Sequence, residues 1–155
     1  MITLSSTSLG PAVDSEITWL LHRAAQRLRN ATGEQAEKHG IQLRDYIVLS
    51  ALDKTPNLTQ VELAKTLGLD KTTLMSQLDR LERIGLVVRH SDPGDRRVRI
   101  PEITEAGNTL RTRVARASSR VEAAALNGFS QDQVQLFRQM LFGIIGDSED
   151  RGSCM

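Results

Sequence analysis

The chain has 155 residues, 39% of them hydrophobic, and a formal net charge of only +1. That supports one core, as a single domain or a domain with a dimerisation extension, and an aliphatic one, because aromatics make up just 3%. Near-neutrality weighs against a charge-driven DNA-packaging role, no apolar run is long enough to span a membrane, and a lone cysteine, Cys154, supplies neither a disulfide framework nor a zinc ligand set.

Residues Met1 to about Val13 are rich in Ser, Thr and Gly, with no basic start, and read as a flexible tail and not as a signal peptide. From Asp14 to about His39, Ile17, Leu20 or Leu21, Ala24, Leu28 and Ala31 recur at three- and four-residue steps, which predicts a helix. Trp19 falls off that stripe and lines either a cavity or a dimer seam. A second helix, from about Leu43 to Leu52, is expected to bury Tyr46, Ile47 and Leu49.

A third helix opens at Thr59-Gln60-Val61-Glu62, a capping box, and carries Val61, Leu63, Ala64 and Leu67 as its apolar face before stopping at Gly68. Asp70 caps a fourth helix that runs from Lys71 to about Ile84, with Gly85 as its stop. Leu74, Met75, Leu78 and Leu81 are expected to face the core. The other side presents Thr72, Thr73, Ser76, Gln77 and Arg80, with Lys71 at the N-terminal end. Short hydroxyls, an amide and cations bond base edges and phosphates. On an arbitrary amphipathic helix they would be a solvated face, but hydroxyls clustered at the N-terminal end, after a short capped helix, favour a recognition helix.

Leu86 to His90 and Val98 to Ile103 have the composition of two strands, the second at a sheet edge because Pro101 cannot donate. Pro93-Gly94 makes the turn. Arg89, Arg96, Arg97 and Arg99 gather on this hairpin. Lys71 to Arg99 holds seven Lys or Arg against four Asp or Glu, so the positive charge of the chain is local. Alone, such a loop is as often a plain exposed turn. Beside the helix pair it reads as a wing that carries arginine into a minor groove. Asp95, two residues before Arg97, is placed to pair with that guanidinium and hold it extended.

Thr104 caps a long helix with Ala106, Leu110, Val114, Ala117, Val121 and Ala125 along one stripe, and Ser130-Gln131-Asp132-Gln133 opens a last helix bearing Val134, Phe137, Leu141 and Ile144 or Ile145. These helices exceed what a winged helix needs, so residues 14–40 and 104–146 are assigned to a homodimer interface, with a monomeric helical cap as the alternative, residues 41–103 to a winged helix-turn-helix, and residues 147–155 to a disordered tail. The fold class expected is mainly α with a small β-hairpin wing. Catalysis finds no support: His22, His39 and His90 are scattered, no paired carboxylates or glycine-rich phosphate loop occurs, and Gly68, Gly85 and Gly107 read as turn or helix-end residues. No cofactor or metal is expected, and Cys154 reads as an inert terminal thiol.

Leu58-Thr59-Gln60-Val61-Glu62-Leu63-Ala64, Leu78-Asp79-Arg80-Leu81-Glu82-Arg83-Ile84-Gly85-Leu86-Val87, Asp95-Arg96-Arg97 and Ile103-Thr104-Glu105-Ala106-Gly107 together resemble the multiple-antibiotic-resistance regulator (MarR) family of bacterial winged helix-turn-helix regulators. The likeness runs from roughly Ile17 to Ile144. It implies a cytoplasmic homodimer that binds double-stranded DNA at a pseudo-palindromic operator, as a repressor released by a small phenolic or amphipathic effector. It puts Arg97 where the family's minor-groove arginine lies and Asp95 and Arg96 beside it. Lys71, Thr72, Thr73, Ser76, Gln77 and Arg80 fall on the groove-facing positions. Aligned through Tyr46, it also brings Arg29 and Ser50 near the position of an aromatic carboxylate, although Arg29 suits a surface cation equally well. Two other readings fit parts of the pattern: a sequence-tolerant DNA-architecture protein, and a winged-helix protein-interaction module without DNA.

Overall fold

The computed structural model describes residues 10–146. The expectations for the tails, and for Cys154, fall wholly or mostly on residues outside that range. The elements are α1 (Ile17–Lys38), α2 (Leu43–Lys54), α3 (Gln60–Leu67), α4 (Lys71–Arg83), β1 (Val87–Ser91), β2 (Arg99–Ile103), α5 (Glu105–Ala125) and α6 (Gln131–Ile145). The strands pair antiparallel, with Val87 opposite Ile103 and Ser91 opposite Arg99. This is the expected class, mostly helical with one hairpin.

Local chemistry sets the boundaries of the helix pair. The Thr59 hydroxyl accepts from the Glu62 amide at 3.2 Å, and the Glu62 carboxylate accepts from the Thr59 amide at 2.8 Å, so α3 starts with both capping-box bonds made. It ends at Gly68, whose φ of 63° is the left-handed conformation that a side chain would resist. Asp70 then accepts from the Thr73 amide at 2.9 Å and starts α4.

Leu49 and Leu52 of α2, Leu63 and Leu67 of α3, Leu74, Leu78 and Leu81 of α4, and Leu86 and Val87 at the base of the wing form one aliphatic core, which Ala36 of α1 and Val114 of α5 close. Four expected core residues lie outside it. Tyr46 and Ile47 only pack against its edge, and Val61 and Met75 are exposed. A helix turns by about 100° per residue, so Met75, one step after Leu74, points off the buried stripe, and Val61 lies on the far side from Leu63.

The wing and α5 are tied together at one junction. The Thr104 hydroxyl donates to the Gly85 carbonyl at 2.7 Å and accepts from the Gly107 amide at 3.0 Å, while the Thr104 amide donates to the Leu86 carbonyl at 3.1 Å. A Cβ on Gly107 would stand 2.2 Å from that same Leu86 oxygen, so this helix start accepts only glycine. α1 and α5 pack against each other and against α2. α6 extends beyond them and buries no residue of its own within the protomer.

Candidate nucleic-acid interface

α4 presents an exposed N-terminal face of Lys71, Thr72, Thr73 and Ser76. The Thr73 hydroxyl donates to the Asp70 carboxylate, leaving its oxygen as an acceptor. That bond first, and the Thr73 amide second, hold the Asp70 carboxyl below its ordinary pKa. Further along the helix the face is not what residue type implies. Gln77, expected outside, is only 5% exposed, and its amide nitrogen donates to Asp45 of α2 at 3.3 Å. It follows Leu74 by three positions and precedes Leu78, so helical geometry turns it toward α2 whatever its polarity. Arg80 is 37% exposed and ion-paired with the same Asp45.

Gln42, Arg44, Thr72, Thr73, Ser76, Gln77, Arg80 and Arg83 line an open groove of about 470 Å³ along this face. Arg44 and Arg83 were not singled out from the sequence. Arg83 was legible as the continuation of the row Thr72, Ser76, Arg80 at steps of three and four, whereas Arg44 comes from another helix and only the packing of α2 on α4 brings it there.

In the wing, the turn is held by its two acids. Asp92 accepts from the amides of Gly94 at 2.7 Å and Asp95 at 3.3 Å, and Asp95 accepts from the backbone amide of Arg97 at 3.0 Å. Asp95 therefore shapes the backbone at the tip; it does not pair with the Arg97 guanidinium as expected. The side chains of Arg96 and Arg97 are exposed and form no ion pair among the described residues. Arg89, counted with them in the sequence, is instead only 13% exposed. It donates to Glu82 at 2.7 Å and Asp79 at 2.5 Å and reaches Gln60 at 3.4 Å, which locks β1 to α4 and α3.

Beside the groove, between α1, α2 and α4, lies a cavity of about 520 Å³ walled by Leu43, Ile47, Val48, Leu67 and Leu69, with Arg29, Arg44 and Glu37 at its polar side. Ser50 is not part of it; its buried hydroxyl lacks a hydrogen-bond partner among the described residues. His22 stacks on Trp19, with Arg23 over the same ring; His39 bonds the Gln35 carbonyl, and His90 faces Glu102. Among the described residues no cluster of His, Cys, Asp or Glu is arranged to hold a metal ion, and no helix is long and apolar enough to cross a membrane.

A capped helix pair whose second member turns a polar face outward, followed by an arginine-tipped hairpin, defines a winged helix-turn-helix DNA-binding protein. The family model described as "MarR family" matches residues 39–98, the span from the end of α1 to the far side of the wing. A MarR-family transcriptional regulator from Rhodococcus sp. RHA1 is 29% identical, with 87% of this chain and 96% of that one superposed at a TM-score of 0.76. CouR from Rhodococcus jostii RHA1, solved bound to p-coumaroyl-CoA, is 26% identical over 90% of this chain and 98% of its own, at 0.74. The transcriptional repressor CouR on a 23-mer DNA duplex is 28% identical over 84% and 93%, at 0.77. The chain is a winged helix-turn-helix protein similar to the DNA-binding transcriptional regulators of the MarR family.

Proposed function

We propose that this protein is a cytoplasmic repressor, with no catalytic role, that binds a pseudo-palindromic operator as a homodimer and is released by a small amphipathic effector. The observation that carries the reading is the juxtaposition of the exposed Lys71, Thr72, Thr73 and Ser76 face with a wing whose two aspartates secure its backbone and leave Arg96 and Arg97 pointing out. Two copies of α4 enter successive major grooves about one helical turn apart. Lys71 holds a phosphate, Thr72, Thr73 and Ser76 meet base edges, Arg80 and Arg83 continue the contact along the groove, and Arg97 enters the minor groove, where negative potential draws a guanidinium.

Dimerisation falls to residues 14–40 and 104–146. α6 carries Leu136, Phe137, Met140, Phe142 and Ile144, all exposed in the protomer, and so wide an apolar face is stable only when something covers it. A second copy covers it in this reading.

For the effector, the cavity beside the groove joins aliphatic walls to two cations, Arg29 and Arg44, against one acid, Glu37, a balance suited to an apolar body with an anionic end. A related regulator solved with p-coumaroyl-CoA supports that class of ligand. Because α2 and α4 both line the cavity, a ligand that favours one arrangement of the pair lowers operator affinity by its differential affinity for the two states. Selection of bound sequences from a random duplex pool tests the core of the proposal. A two-fold symmetric motif with half-sites one turn apart is expected, and an asymmetric motif or no enrichment would remove it. Titration of the selected duplex with phenolic carboxylates and their thioesters tests release.

A further inference from the structure

Asp45 has no solvent exposure at all, yet it carries a carboxylate at the N-terminus of α2, three residues after Gln42. One carboxylate oxygen accepts from the Gln42 amide at 2.8 Å and caps its own helix. The other faces α4, where it accepts from Gln77 at 3.3 Å and pairs with Arg80. Every partner of this buried group therefore has a structural or a recognition address. Gln42 roots it in α2, Gln77 sets the roll of α4 against α2, and Arg80 is the cation that reaches the groove beside Ser76 and Arg83. A buried carboxylate is costly to desolvate and is retained only where its bonds are satisfied or its position is useful. Burying Leu or Val there would give better packing without the requirement for three donors.

We propose that Asp45 is a positioning residue for DNA recognition: it holds the Arg80 guanidinium in one place on the groove face, so that this arginine meets the duplex from a single geometry. The inference rests on the proposal that α4 enters the major groove. A guanidinium is a planar fork of five donors, and Asp45 occupies part of one edge. The donors left over point along directions that the ion pair sets. An arginine on a free stem samples many directions and settles on any nearby phosphate; one clamped at its root reads a particular base edge. Asp45 thus converts a cation into a reader without touching DNA itself.

The test compares full-length wild type, Asp45→Asn, Arg80→Ala and the double variant, with folding checked by thermal melting. Each is used to select from a random duplex pool, and its affinity is measured for the wild-type motif and for random duplex. For Asp45→Asn the ratio of motif to random affinity is expected to fall on the order of tenfold, the discrimination of one good base contact, while affinity for random duplex is unchanged. In the Arg80→Ala background the same substitution should change the ratio no further. Parallel losses on both duplexes, an unchanged ratio, or an equal effect without Arg80 would each overturn the proposal. If wild type enriches no motif, the groove assignment itself fails, and this inference with it; a wild-type motif that Asp45→Asn retains defeats this inference alone. Arginine side-chain NMR on the wild-type protein needs no foldable variant. Arg80, assigned by the loss of its signals in Arg80→Lys, should show terminal NH2 groups in slow rotation, and freely averaged signals would also overturn the proposal.

Discussion

Arg89 and Arg97 share one hairpin, but burial divides their roles. Burial disfavours the charge of Arg89, yet the hydrogen bonds to Glu82 and then Asp79 outweigh it and raise its pKa. That arginine joins elements, so Arg89→Ala should cost on the order of 1–3 kcal/mol of stability, the worth of bonds to charged partners, read as a lower urea midpoint. Arg97→Ala should leave the midpoint where it is. It should weaken operator binding and reduce the dependence of log affinity on log salt by about one, because one phosphate-region contact is lost. Equal midpoints for the two variants would contradict this division. The sequence places both arginines on the hairpin but does not tell them apart, since the acids that neutralise Arg89 come from α4, and only packing brings them close. Gln77 teaches the same lesson from the other side. Its residue type says exposed, and its place between Leu74 and Leu78 says buried; the helical period wins. Gln77→Ala should therefore lower stability in urea, removing a hydrogen bond to a buried carboxylate, where an exposed base-reading glutamine would leave stability unaffected.

At the scale of elements, the helix-turn-helix was almost fully legible because its boundaries are set by adjacent residues. Thr59 and Glu62, Gly68, Asp70 and Thr104 act within three or four positions along the chain, and each cap forms as the pattern implies. What α2 does was less legible. Its cap, Asp45, spends most of its bonding capacity on α4, a contact spanning more than thirty residues of sequence. The caps also give the pair a pH dependence with a defined sign. The Thr59 amide and then its hydroxyl hold the Glu62 carboxyl below its ordinary pKa, and Thr73 does the same for Asp70. A carboxyl whose folded pKa lies below its unfolded one adds stability in full above the unfolded value, and that stability is lost as pH falls through the folded value. Acidification should thus release the first turns of α3 and α4 only once pH passes below the usual carboxylate range, followed by amide exchange at Glu62 and Thr73. Asp70→Ala should remove the α4 part of that dependence and lower the melting temperature. Early release of both turns at mildly acid pH would show that the caps do not stabilise them. Gly107→Ala is expected to lower the melting temperature more than an exposed helical substitution, because the new methyl meets the Leu86 carbonyl and α5 must shift off the wing.

Over the whole molecule, charge and apolar surface are segregated. Lys71 to Arg99 carries a positive excess while the complete chain is nearly neutral, so the field that favours DNA is concentrated on the groove face and wing. Most of the largest exposed apolar side chains lie away from that face, on α6 and the loop before it, where Phe129, Phe137 and Met140 are exposed, while Val61, Met75 and Ile84 are scattered over the winged helix. The sequence marks α6 as amphipathic but cannot say that the protomer covers its stripe only in part, at Val134 and Leu141, and leaves its flanks open, because that depends on where α1 and α5 run. The winged core draws no buried residue from α6, so the two halves should separate experimentally. Phe137→Glu combined with Met140→Glu places charges where a second copy would have to bury them, and sedimentation should find a folded monomer with an unchanged far-UV spectrum. On a selected two-fold site the monomer should bind on the order of a hundredfold or more weaker, since linking two reading heads raises affinity about 10²–10⁴-fold without any new contact. On an isolated half-site it should match the wild-type protein. A double variant that stays dimeric, or a monomer that loses the half-site as well, would mean that α6 supports the reading head and not the pairing of two of them.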